Sequence, residues 1–140
     1  MILFSYDCCY YYTLLIIIIF SGKAIPKNIE VSICLITENG IQERALSSGA
    51  NDEPVTFYRS HIQYHQNSPK WLEHLKIYVP LELFENANHR FTFCQCSSKD
   101  RDGKFVGFSF LPLADQNGAC LIDWDHELCM HHLIHKLTVI

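Results

Sequence analysis

Residues 97–104 read Ser-Ser-Lys-Asp-Arg-Asp-Gly-Lys, and their charges admit two kinds of binding chemistry. Asp100 and Asp102 have the alternate spacing of carboxylates in calcium loops. An EF-hand loop also needs a bidentate Glu at its twelfth position and a helix on either side, and position 111 is Leu. Calcium held between the loops of a sandwich would need carboxylates from a second loop, where only Asp52 and Glu53 are candidates, so no metal site is assigned. The other chemistry is capture of an anionic lipid head group by Lys99, Arg101 and Lys104. Each basic residue near an anionic surface contributes about 1 kcal/mol, and Asp100 and Asp102 offset part of that. Residue by residue, a solvated hairpin loop is the plainer reading.

Other reactive residues carry less. Cys94 and Cys96, taken with His131, His132 and His135, suggest zinc, but structural zinc loops separate paired cysteines by two to four residues. Small thiols packed on a strand are the simpler account, with residues 131–135 a polar terminus. Ser60-His61 and Ser109 lack the strained, glycine-flanked elbow of a nucleophilic serine. No catalytic residue and no cofactor are assigned. The seven cysteines are odd in number and without framework spacing, which argues against a secreted disulfide scaffold. A net charge of −4 disfavours nucleic acid as a partner.

The elements that must position these residues read as strands. The 140 residues suit one domain, and a 49% hydrophobic composition excludes a mainly disordered chain. Ile29, Val31, Ile33 and Leu35 alternate on one face of a strand closed by the turn signal Glu38-Asn39-Gly40. Residues 47–54 read as a loop. Tyr58, Ser60, Ile62 and Tyr64 predict one face of a second strand, which Asn67-Ser68-Pro69 breaks. Trp71 opens the next strand, marked by Leu75, Ile77 and Val79, and residues 81–86 suit a helical turn. Strands follow over 89–96, over 105–111 and near 127–131, with a turn at 114–118. Period two groups Phe91 with Phe93, and Val106 with Phe108 and Phe110. Trp71 and these four phenylalanines are therefore expected inside or against the sandwich. Six or more short strands with turns between them, and no long amphipathic helix, predict an all-β antiparallel sandwich.

Residues 1–22 differ from the rest. They hold one charge, Asp7, and the run Leu14-Leu15-Ile16-Ile17-Ile18-Ile19-Phe20. A signal peptide requires a basic start, which is missing. A transmembrane span of about 20 residues is reached only by counting Ser5, Asp7 and Thr13. A buried strand is the third reading, since β-branched runs suit strands covered on both faces. Sequence wrongly joined ahead of about Gly22 is a fourth.

An ordered series of short segments carries a resemblance. Lys27-Asn28-Ile29-Glu30-Val31, Phe57-Tyr58-Arg59-Ser60, Tyr64-His65 and Ser68-Pro69-Lys70-Trp71 come first. Pro80-Leu81, Arg90-Phe91-Thr92-Phe93 and Cys96-Ser97-Ser98-Lys99-Asp100 follow, then Gly107-Phe108-Ser109-Phe110 and His126-Glu127-Leu128. The series resembles the C2-type domain of the DOCK (dedicator of cytokinesis) guanine nucleotide exchange factors, and looks closest to the branch that includes the modifier of cell adhesion. Residues 23–140 are expected to form this domain, behind a hydrophobic segment 1–22. The chain departs from the family where the first strand should lie. The resemblance implies calcium-independent phosphoinositide binding, peripheral at the plasma membrane in the cytoplasm. It implies that Rac- or Rap-type GTPases are partners only through a separate exchange domain, for which this chain has no room. The chain is then expected to be a fragment of such a factor. Lys23 and Lys27, beside the altered first loop, join Lys99, Arg101 and Lys104 as candidate lipid-binding residues. The alternative is a protein-interaction or structural sandwich without lipid binding.

Overall fold

The structure, a computed structural model, describes residues 9–21, 28–49, 52–64, 70–97, 103–120, 126–129 and 136–139. Alternation of apolar residues builds its best-packed layer. Along β2 (Ile29–Thr37), Ile29, Val31, Ile33 and Leu35 turn inward and are at most 1% exposed. β2 pairs antiparallel with β7 (Asn88–Gln95), placing Val31 opposite Phe93 and Ile33 opposite Phe91. β7 pairs in turn with β8 (Lys104–Pro112). β3 (Gly40–Ile41) and β5 (Tyr58–Arg59) both pair with the other side of β2.

The facing sheet runs in the order β4-β6-β1-β10-β9. Its members are β1 (Cys9–Ser21), β4 (Leu46–Ser47), β6 (Lys70–Pro80), β9 (His126–Cys129) and β10 (Lys136–Val139). Trp71, Leu75, Ile77 and Val79 of β6 are buried in one cluster with the inward residues of β2 and with Phe91 and Phe93. Two antiparallel sheets with one shared apolar core make the expected β-sandwich. The Trp71 indole also finds a polar partner, donating from Nε1 to the His61 carbonyl at 3.1 Å.

The Ile-rich segment is the middle strand of its sheet. β1 pairs with β6 from Cys9 opposite Pro80 to Ile19 opposite Lys70, and with β10 from Ile18 opposite Val139 to Ser21 opposite Lys136. Ile18 and Ile19 are paired on both sides, and β-branched residues suit such a strand. Among the described residues no helix is long and apolar enough to cross a membrane.

Three local expectations need correction. The second strand extends only over Tyr58–Arg59. At Ser60 the side chain replaces a ladder carbonyl: the Val31 amide donates to Ser60 Oγ at 2.9 Å while the Ser60 amide donates to the Val31 carbonyl at 2.8 Å. Such side-chain bonding competes with regular pairing. Beyond it there is one isolated bridge, Gln63 to Ile29. Next, Phe108 and Phe110 do not share the inward face with Val106. A register shift lies between the pairs Phe93–Gly107 and Cys94–Phe105, which leaves Val106 as the extra residue on β8. Val106, Ser109 and Leu111 are buried, whereas Phe105 is 46% and Phe110 40% exposed. Finally, β10 is a strand that the sequence reading left out. The histidines His131, His132 and His135 lie outside the described residues, as does residue 65. The expected turns do form. Gly40 has φ +97° after Thr37 Oγ1 accepts from the Asn39 amide, and Leu81–Asn86 is a short 3-10 helix that buries Phe84.

Candidate functional site

The loop that held the candidate charges is closed by the β7–β8 hairpin. Gln95 lies opposite Lys104, and the Lys104 side chain is exposed. Gly103 brings the returning chain close to β7. A Cβ there would lie 2.9 Å from Cys96 Sγ and 3.0 Å from the Gln95 carbonyl oxygen, so any larger residue would force β7 to shift. Lys99 and Arg101 fall outside the described residues, and so do Asp100 and Asp102. Lys23 and Lys27 also lie outside them.

The strand ends that bound these segments are described, and they meet. The Cys96 amide donates to the carbonyl of Asn28 at 2.8 Å, and Asn28 itself sits at φ 60°. Asn28 follows the segment that carries Lys23 and Lys27, while Cys96 precedes the one that carries Lys99 and Arg101. The Gln63 amide donates to the Ile29 carbonyl at 3.3 Å, which brings a third connection to the same end. Ser21 and its partner Lys136 close the neighbouring sheet there. The acidic residues Glu38, Glu82, Glu85 and Asp115 mark the opposite end. Glu38 accepts from Asn86 Nδ2, and the Asp115 carboxylate caps its own turn by accepting from the Asn117 and Ala119 amides at 2.8 and 3.0 Å.

The thiols near this hairpin do not form a reactive site. Cys96 is buried and Cys94 half-buried, and burial pushes both thiols up, with the Glu30 carboxylate adding to it. Burial also raises Cys34, and Arg90 offsets part of the rise. Thiols raised in this way are poor nucleophiles. Among the described residues no three His, Cys, Asp or Glu side chains come together to hold a metal ion. Asp52 is engaged locally, accepting from Ser48 Oγ at 2.8 Å.

Over residues 5–138 the chain matches the family described as the C2 domain in Dock180 and Zizimin proteins. The chain belongs to this family. The matched span includes β1, so the Ile-rich strand falls within the DOCK-type C2 domain. The chain is 38% identical over 112 residues to Dedicator of cytokinesis protein 4 of Mus musculus, and equally so to that of Homo sapiens. It is also 38% identical over 112 residues to Dedicator of cytokinesis protein 3 of Mus musculus. Each alignment takes in 79% of this chain and only 6% of the relative. The chain therefore spans a small part of the length of these relatives.

Sequence reasoning missed one feature of this end of the DOCK-type C2 domain. The register shift in the β7–β8 hairpin turns Phe105 to the outer face together with Phe108 and Phe110. The available signal was Gly107, since an isolated glycine within a strand often marks a bulge.

Proposed function

We propose that this C2 domain binds anionic phospholipid, of the phosphoinositide class, through the loops at the Lys104 end of the sandwich. Lys99, Arg101 and Lys104 are the main contacts in this reading, with Lys23 and Lys27 as weaker candidates. The observation that supports this reading most is the hydrogen bond between Cys96 and Asn28. It joins the two strand ends from which both basic segments leave. Three basic residues at about 1 kcal/mol each give about 3 kcal/mol. That is roughly a hundredfold in partitioning before Asp100 and Asp102 subtract from it. The domain then serves as the membrane-recruiting part of a guanine nucleotide exchange factor for Rho/Rac-type GTPases. Exchange itself belongs to a separate domain in this reading, and the location is peripheral, at the cytoplasmic face of the plasma membrane.

The test is co-sedimentation with phosphatidylcholine liposomes, with and without phosphatidylinositol trisphosphate. The whole chain is used, because trimming the first 22 residues removes the central strand β1. Binding is expected only with the phosphoinositide and is expected to weaken with salt, as exposed charge contacts do. Lys99→Ala/Arg101→Ala/Lys104→Ala is expected to abolish it. Equal binding by this variant at low salt excludes the loop as the site. No binding by the parent favours a protein-interaction domain instead.

A further inference from the structure

The outer face of β8 is unusually aromatic for a surface strand. The rings of Phe105 and Phe108 lie 6.2 Å apart, and those of Phe108 and Phe110 lie 5.5 Å apart, edge to face. The three form a continuous ridge along β8, the last strand of its sheet. Local packing alone does not require this. Without the register shift Phe105 would alternate inward, yet the hairpin sends the small Val106 into the core and Phe105 out.

We propose that the Phe105–Phe108–Phe110 ridge penetrates the interfacial layer of an anionic bilayer, so that the domain lies with its β8 edge against the membrane rather than standing on its loops alone. The inference rests on the lipid reading above and adds an apolar contact to it. Two observations select a bilayer as the occupant. The ridge begins at Phe105, the residue that follows the exposed Lys104 at the hairpin end of β8. Among the described residues the unpaired charge nearest the ridge on this face is cationic. Arg90 stands opposite Phe110, and the one acid on the outward positions of β2, Glu30, is paired with Arg59 at 3.8 Å. On a chain of net charge −4, a face that joins aromatic rings to basic residues is complementary to anionic lipid. Phenylalanine supplies the apolar part, which a free head group cannot use.

The test uses the full chain and vesicles of phosphatidylcholine and phosphatidylserine with phosphatidylinositol trisphosphate. The variant Phe105→Ala/Phe110→Ala removes two half-exposed rings, and an unchanged thermal midpoint verifies that it folds. About half of a phenylalanine's transfer free energy remains to be gained at each site, a factor of roughly five per ring. Partitioning is therefore expected to fall roughly 25-fold, and the loss is expected to persist at high salt, unlike that of the triple charge variant. As a second readout, Phe105→Trp is expected to keep binding and to be quenched by brominated acyl chains, beyond any quenching of the parent. If the double variant partitions like the parent, or the new tryptophan is not quenched, the ridge does not enter the bilayer. In that case loss of binding by the triple charge variant leaves the head-group reading standing. If the parent binds no vesicle, both readings fall together.

Discussion

His89 makes the fold sensitive to acid. It lies on the inward face of β7, 2% exposed, opposite Leu35 on one side and Leu111 on the other, with the Phe91 ring 6.3 Å away. Burial in this apolar setting pushes its pKa down from 6.5 to about 4. The folded state thus holds the imidazole neutral, whereas the unfolded chain protonates it near 6.5. The stability associated with the neutral form is present in full above 6.5. It declines as pH falls below 6.5 and is lost once pH passes through about 4. Integrating proton uptake on unfolding between pH 7.5 and 4.5 gives a loss of about 2.5 kcal/mol from this one group. The assay is urea unfolding followed by tryptophan fluorescence at both pH values, for the parent and for His89→Leu. Carboxylates titrate in both proteins and cancel in the comparison. The parent is expected to lose about 2.5 kcal/mol more than the variant. Equal losses would refute the claim that His89 is held neutral by burial.

Three further outcomes are expected. Trp71→Ala leaves a large void between the sheets and is expected to cost roughly 3–5 kcal/mol in urea unfolding. An unchanged midpoint would contradict the core position of Trp71. Ser60→Ala strips the buried Val31 amide of its acceptor and is expected to cost about 1–3 kcal/mol, whereas Ser60→Thr retains an acceptor oxygen and loses less. The third follows from the proposed function: the chain alone leaves the release of a fluorescent guanine nucleotide from Rac or Rap unchanged, and accelerated release would overturn the separate-domain reading.

Much of the sandwich was legible because burial on one face imposes period two. Ile29, Val31, Ile33 and Leu35, and equally Leu75, Ile77 and Val79, carry that pattern without a break, and each is buried where it was expected. The Asn39-Gly40 turn was also readable, since backbone geometry restricts which residues fit there. Family membership followed from the order of short segments, which comparison with known proteins bears out.

Other features depended on partners distant in sequence. A run such as Leu14–Phe20 suits a span or a strand equally in composition. It becomes the middle strand of a sheet because β6 and β10, more than 50 residues away, offer both edges for pairing. β10 itself is too short to declare a period, and pairing with β1 makes it a strand. Candidate lysines and arginines could be named from the sequence, but only the register of β2 with β7 brings together the strand ends that bound Lys27 and Lys99. The orientation of Phe105, Phe108 and Phe110 was decided at this tertiary level too. Strict alternation put Phe108 and Phe110 on one face with Val106, but one shifted pair between β7 and β8 reversed the phase. Side-chain direction along a strand is a parity, so a single extra residue inverts it for all that follow. Composition carries no record of where that residue falls.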